Sequence, residues 1–155
     1  MARAALFLAR FCSSAWIGAA TLFVIVGVLE VTRGGLDSTT KDILVGLRFP
    51  PFYLTGVVLV SLAWLGTCLA EFHPELTTRR RAFAILGLLA VLALMFVDYF
   101  WIYLPLRDMV TPPGQAKPST FVPYHQASKY INLVELLFAW IAVVALNWPA
   151  RRTEP

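Results

Sequence analysis

The sequence predicts an all-α integral membrane protein in which four transmembrane helices form one bundle. Its 155 residues are 59% hydrophobic and only 14% charged, whereas soluble domains carry about 25% charged residues. The mean hydropathy is +0.71. Four apolar runs each have the roughly 17–25 residues that cross a bilayer as a helix. They cover approximately residues 11–31, 49–70, 82–104 and 130–148.

Length and charge narrow the class of protein. A chain of this length corresponds to one domain, residues 1–155. The net charge of +4 is modest and most charged residues lie outside the apolar runs, which is typical of membrane proteins and not of nucleic-acid binders. The expected partner is therefore the lipid bilayer. The sequence contains no catalytic triad, phosphate-binding loop or Cys/His cluster, which favours a protein that is not an enzyme.

The Lys and Arg residues predict that both chain termini are cytoplasmic. Because successive spans alternate in direction, the termini share a side with the 71–81 connection, and that side has the denser positive charge. The termini side carries seven basic residues, Arg3, Arg10, Arg79, Arg80, Arg81, Arg151 and Arg152. The other side carries six in longer loops, Arg33, Lys41, Arg48, Arg107, Lys117 and Lys129.

The connections contain turn and capping signals. Thr39 and Asp42 have the spacing of a capping box, which predicts a short interfacial helix. Pro50 and Pro51 are expected to break or kink that helix before the second span. The proline-rich loop before the fourth span is expected to cover the outer ends of the helices. His73, in the 71–81 connection, is expected to be solvated.

Asp98 is the unusual residue of the third span. The apolar side chains of this run favour membrane insertion by several kcal/mol. This exceeds the insertion cost of an Asp at the helix centre, roughly 2.5–3.5 kcal/mol. The helix therefore tolerates Asp98, but its presence needs a separate reason. Asp98 lies five residues beyond the middle of the span, about 7–8 Å toward the outer face. A short carboxyl side chain at that depth should face protein or water, not lipid.

The fourth span carries a polar stripe at helical spacing. His125, Ser128, Asn132 and Glu135 follow each other at i, i+3, i+7 and i+10, so they fall within about 80° of one helix face. If the helix begins near Pro123, this stripe faces inward. Glu135 then lies at a depth similar to that of Asp98.

Alternation of the helices brings these polar residues into one leaflet. The predicted ligand-binding site comprises Asp98, Glu135, Asn132 and His125, with Arg48 and Glu30 near its rim. One interpretation is structural, with polar groups that bond one another and fix helix register. A second is a site for a cation, a proton or a small polar ligand. A third is a redox or metal centre with His125 as the metal ligand, although a single His is a weak signal.

Three segments resemble a known family. They are "AWIGAATLF", "RFPPFYL" and "FVPYHQASKYINLVELL". The matching residues are Trp16, Gly18, Phe49, Pro50, Tyr53, Phe121, His125, Ser128 and Asn132. Together these segments resemble the domain-of-unknown-function family of small four-helix membrane proteins that includes transmembrane protein 205, over nearly the whole chain.

The resemblance implies a four-helix integral membrane protein with a poorly defined activity. It also implies a distant similarity to copper-resistance D-like and HemJ-like membrane proteins, which makes haem or copper a cofactor to consider. The key His of those proteins lies in their first helix. The first span here contains no His, which argues against the interpretation of the site as a redox centre.

The leading hypothesis is a non-enzymatic membrane protein that binds or passes a small polar solute, a proton or an ion at this site. One alternative is a haem- or metal-dependent membrane oxidoreductase. Another is a structural subunit of a larger membrane complex. A bundle of this size is also expected to self-associate if it forms a pathway.

Overall fold

The computed structural model describes residues 1–32, 35–71 and 73–149 and consists of four long helices. Helix α1 is Ala2–Thr32 and α2 is Ser38–Leu69. Helix α3 is Thr78–Met109, and α4 is Phe121–Asn147. All four are long and apolar enough to cross a membrane, and together they form a four-helix bundle. The predicted fold class is therefore confirmed.

Every helix begins earlier in the chain than its apolar run. α1 begins at Ala2 rather than near residue 11, and α4 begins at Phe121 rather than near residue 130. A helix satisfies its backbone hydrogen bonds internally, so it continues into polar flanks that hydropathy does not mark as spanning. Pro123 lies in the first turn of α4, where a missing N–H has no intrahelical partner to lose.

The prediction of a separate interfacial helix before the second span is wrong. Residues 38–69 form one continuous helix, with Pro50 and Pro51 inside it. Its N-cap is Asp37, whose carboxylate accepts a hydrogen bond from the Thr40 backbone N–H at 2.7 Å. Hydrogen bonds from Thr40 lower the pKa of Asp37. Proline lacks a backbone N–H and so removes one hydrogen bond from the helix. Contacts with neighbouring helices allow the helix to continue through such a position.

Asp42 anchors the proline-rich loop instead of capping a helix. Its side chain is buried, and its Oδ2 accepts a hydrogen bond from the Gly114 N–H at 3.1 Å. Its Oδ1 pairs with Lys117 Nζ at 3.0 Å. These two contacts fix the loop against the first turns of α2.

α3 changes its helical geometry at Asp98. Residues 78–97 are α-helical, Asp98–Tyr103 form a π-helical segment, and Leu104–Met109 are α-helical again. The Leu104 N–H bonds to the Tyr99 carbonyl, five residues back. In a regular α-helix, residues 98 and 103 would differ by about 140° in direction. The wider turn brings both to one face, and both side chains are buried.

The four helices contact one another in ring order. The pairs α1–α2 and α3–α4 make the most extensive contacts, and α2–α3 and α1–α4 close the ring. Fully buried side chains in the core include Trp16, Leu88 and Met95. The outer surface carries many large apolar side chains, as expected of helices that face lipid. Asp98 and Glu135 are buried within the bundle, whereas the buried side chains of Asp42 and His73 lie at its two ends.

Two bundle ends can be distinguished. The terminal end is where α1 begins and α4 ends, and the loop end holds the connections before α2 and α4. At the terminal end, Arg10 Nε and Arg80 Nε donate to the carbonyls of Leu146 and Ala145, each at 2.9 Å. Cations at a helix C-terminus satisfy its last carbonyls and interact favourably with its dipole. Arg80 of the "RRR" segment therefore has a structural contact.

We expect Gly66→Ala to lower the free energy of unfolding by about 1–3 kcal/mol, the usual effect of overpacking a well-packed core. A Cβ at Gly66 would lie 2.7 Å from the Ala5 carbonyl oxygen and 3.0 Å from the Ala9 nitrogen. Both are backbone atoms, so α1 would have to move. The matched control is Gly18→Ala, because a Cβ there meets nothing within 4 Å. Denaturant unfolding in mild detergent measures both, and equal stability of the two variants would contradict the close α1–α2 contact.

Candidate functional site

The carboxyl group of Asp98 is the centre of a buried hydrogen-bond network. Asp98 is 0% exposed. Its Oδ2 accepts hydrogen bonds from Tyr53 Oη at 2.5 Å, from Asn132 Nδ2 at 2.9 Å and from Ser128 Oγ at 3.2 Å. The donors come from α2 and α4. One carboxylate oxygen on α3 therefore joins three helices.

The other oxygen of the same carboxyl has no partner. Asp98 Oδ1 is buried and forms no hydrogen bond with the described residues. Such groups are rare, since a buried polar atom without a partner loses the full benefit of hydration. Oδ1 is therefore the open position of the network, available to a proton or a cation.

A second carboxyl group lies nearby on α4. Glu135 is 4% exposed and close enough to Asp98 for their charges to interact. The indole of Trp16 on α1 also interacts with the Glu135 carboxyl. However, Trp16 Nε1 forms no hydrogen bond of normal geometry. The indole therefore lies beside the Glu135 carboxyl without a hydrogen bond to it. With Trp16 included, all four helices reach the site.

Aromatic rings surround the Asp98 network. Tyr53 contacts Tyr99 with ring centroids 5.1 Å apart and Tyr103 at 5.3 Å. Phe49 stacks on Tyr103 at 5.4 Å. The Tyr103 hydroxyl is buried and has no hydrogen-bond partner among the described residues. This packing separates the two carboxyl groups from bulk solvent and buries the Tyr103 hydroxyl with them.

Arg48 and Glu30 are close to each other and do not join the network. They form an ion pair between α2 and α1, and both side chains are about three-quarters buried. The Arg48 guanidinium also lies over the Phe23 ring, 4.8 Å from its centroid. Within the described ranges, no ion pair involves Asp98 or Glu135. The predicted rim pair is thus self-neutralised and leaves the inner carboxyl groups without a basic partner.

His125 lies outside the network. The prediction that the whole stripe faces inward is wrong for this residue, which is exposed, whereas Ser128 and Asn132 are partly buried and Glu135 is buried. The ring of His125 stacks on Phe121 with centroids 5.8 Å apart. Residues 122–126, in the first turns of α4, are all exposed, so His125 lies outside the packed part of the bundle.

The surroundings of His125 do not suit a metal ion. Its charged neighbours are Lys117 and Lys129, both cations, which oppose the approach of another cation. In the portion of the chain that the structure describes, no group of three or more His, Cys, Asp or Glu side chains is placed to hold a metal. The donor set at His125 therefore gives a haem or copper centre no support.

Sequence reasoning missed the aromatic partners of the site. It placed Asp98, Asn132 and Glu135 by depth and helical spacing, and these residues do come together. It did not assign Tyr53 a contact with Asp98, although a tyrosine inside the outer part of an apolar span is a usable signal. A buried phenol hydroxyl seeks a hydrogen-bond partner, and a carboxyl at similar depth is a strong one.

Comparisons with known proteins returned no match. No family model matches the chain, and neither the curated proteins nor the solved structures contain a significant match.

We expect Tyr53→Phe to lower the free energy of unfolding by about 1–3 kcal/mol, because it removes a buried donor from Asp98 while preserving ring volume. Tyr99→Phe is the matched control, since the Tyr99 ring packs against Tyr53 but does not donate to Asp98. Denaturant unfolding in mild detergent measures both variants. Equal losses in the two would show that the hydroxyl of Tyr53 does not stabilise the network.

Proposed function

We propose that this chain is a multi-pass membrane protein that binds and passes a proton, or binds a small cation, at the Asp98–Glu135 pair. The observation that carries the proposal is the Asp98 carboxyl itself. It is fully buried, and among the described residues three donors bond to one of its oxygens and none to the other. Ionisable residues inside membrane bundles commonly belong to ion or proton pathways.

The charges of the site support a bound cation or proton. Two neighbouring carboxyl groups in a low-dielectric interior repel each other strongly when both are ionised. Among the described residues, no Lys or Arg pairs with either one. A proton on one carboxyl, or a cation between the two, removes that repulsion. Either would also occupy the open Oδ1 position of Asp98.

Burial restricts the size of the ligand. The carboxyl of Asp98 is enclosed by aromatic rings and has no exposed surface. Two cavities that the chain does form lie at the terminal end, and neither is lined by Asp98 or Glu135. These facts favour a proton or a dehydrated ion over the larger polar solutes that the sequence also allowed.

A structural role is the second candidate, and a specific observation favours it. The hydrogen bonds to Asp98 Oδ2 tie α2, α3 and α4 together at one depth. A network of this kind fixes helix register whether or not it binds an ion. The two candidate functions make different demands on Asp98. Ion or proton binding requires its ionisable carboxyl group, whereas a structural role requires only its hydrogen bonds.

We expect Asp98→Asn to abolish proton movement while the bundle still folds, because the amide keeps the size of the side chain but carries no titratable charge. Protein in liposomes with a pH-sensitive dye inside is given a pH gradient, and dye response is compared with that of empty liposomes. Asp108→Asn is the matched control, since Asp108 lies on the same helix with its side chain 72% exposed.

A parallel measurement covers ions. Sodium or potassium that binds the folded protein raises its unfolding midpoint with concentration, and Asp98→Asn should lose that increase. A wild-type protein that responds neither to the pH gradient nor to either ion would contradict ion binding. The register role of the network would then be the supported one.

We also propose that both chain termini are cytoplasmic. We further propose that the chain is related to the four-helix family that its motifs resemble. Of the arginines that support this orientation, Arg151 and Arg152 lie outside the described residues. Arg79, Arg80 and Arg81 are described and lie at the terminal end, at the start of α3. The Asp98 network is on the loop-end side of the middle of α3, so this orientation places it in the outer half of the bilayer.

Labelling of single cysteines tests the orientation. In a Cys12→Ala, Cys68→Ala background, we expect a membrane-impermeant maleimide to label Ala116→Cys in intact cells. Thr78→Cys should react only after the membrane is opened, because it lies at the other end of the bundle. Both positions are exposed in the structure. The reverse pattern of labelling would place the termini outside.

A further inference from the structure

We propose that the terminal end carries a binding site for the phosphate headgroup and one acyl chain of an anionic phospholipid. The site is separate from the Asp98 network and does not depend on the function proposed for it. It consists of a basic cavity and an apolar groove that share two residues, Arg10 and Phe7.

The basic cavity has a volume of about 250 Å³ and lies between α1 and the connection that precedes α3. Its polar lining includes Arg3, Arg10, His73 and Glu75. The carboxylate of Glu75 opposes an anion, but Arg10 pairs with it at 3.1 Å. Arg3 takes part in no ion pair of the described residues. The cavity therefore keeps an uncommitted cation.

His73 adds a donor to this cavity. Sequence analysis expected it to be solvated, and that prediction is wrong, because His73 is only 8% exposed. Its Nδ1 accepts a hydrogen bond from the Glu75 backbone N–H at 3.3 Å. A neutral imidazole that accepts at Nδ1 carries its proton on Nε2. Nε2–H is then available to an oxygen atom such as that of a phosphate.

Arg80 strengthens the positive field without occupying the cavity. Its guanidinium donates to the Ala145 and Glu75 carbonyls and is near enough to Arg10 for their charges to interact. Carbonyl partners do not neutralise Arg80, and its charge interacts with the same Glu75 carboxylate that pairs with Arg10. Around the cavity, three arginines therefore face one carboxylate, a balance that favours an anionic ligand.

The groove explains why the anion should belong to a lipid. It has a volume of about 580 Å³ and runs along the outside of α1 past Phe7, Phe11 and Ala15. The rings of Phe7 and Phe11 stack with centroids 6.2 Å apart, and both are more than half exposed. A free phosphate would leave this apolar surface uncovered, whereas an acyl chain covers it. Basic pockets beside membrane helices are known to recognise anionic headgroups.

Binding is tested on the purified full chain in mild detergent by the rise of its unfolding midpoint with ligand concentration. The probes are short-chain phosphatidylglycerol, phosphatidylcholine with the same acyl chains, and inorganic phosphate. We expect phosphatidylglycerol to bind more tightly than either of the others. Equal binding of the two lipids would overturn the headgroup part of the proposal.

Two pairs of variants separate a site from a general surface effect. Arg3→Gln should weaken phosphatidylglycerol binding about fivefold, the usual contribution of one basic residue near an anionic headgroup. Arg79→Gln should not weaken it, because Arg79 is exposed at the same end but lines neither cavity. An equal effect of the two variants would overturn the site in favour of diffuse surface charge.

The second pair tests the acyl groove. Ser14→Trp fills the groove from an exposed position on its lining and should weaken binding of phosphatidylglycerol. Leu22→Trp adds a similar ring two turns further along α1 at a position that is 62% exposed, and should have no effect. If inorganic phosphate binds as well as the lipid, and Ser14→Trp changes neither, the site is a phosphate site and the lipid assignment is wrong.

Discussion

The burial of the Asp98 carboxyl inside an apolar bundle is the constraint on which the rest of this structure depends. A carboxyl group that leaves water needs hydrogen-bond donors close by, because lipid and apolar side chains offer none. Here the donors are Tyr53, Ser128 and Asn132. They can reach one oxygen only if α2, α3 and α4 meet at a single depth and rotation. The residue that is hardest to bury therefore determines how three helices are aligned.

The π-helical segment of α3 is part of the same arrangement. It begins at Asp98, and its wider turn directs Asp98 and Tyr103 to the same side of the helix. π-helical segments occur frequently at functional sites. This one contains the Asp98 carboxyl and the buried Tyr103 hydroxyl, which forms no hydrogen bond within the described part of the chain. A purely apolar core would need none of these. The irregularity and the incomplete bonding together are what favour a site over simple packing.

Charge is organised differently at the two ends of the bundle. At the loop end, two carboxylates that are mostly or fully buried pair with cations, Glu30 with Arg48 and Asp42 with Lys117. At the terminal end, Arg10 and Arg80 donate to backbone carbonyls of α4 and so hold the last turn of that helix. Their positive charge is only partly cancelled. The terminal end can therefore attract anions.

The sequence by itself determined the number of helices, their capacity to span a membrane and the position of Asp98 along α3, because hydropathy and rise per residue are local properties of the chain. It also placed Asn132 and Glu135 on one face of α4 through helical spacing. The tertiary structure alone decided that Tyr53 bonds to Asp98, that Arg48 pairs with Glu30, and that His125 stays exposed. Such contacts depend on the rotation and packing of neighbouring helices. A single-sequence pattern contains the spacing within a helix but not the angle between helices.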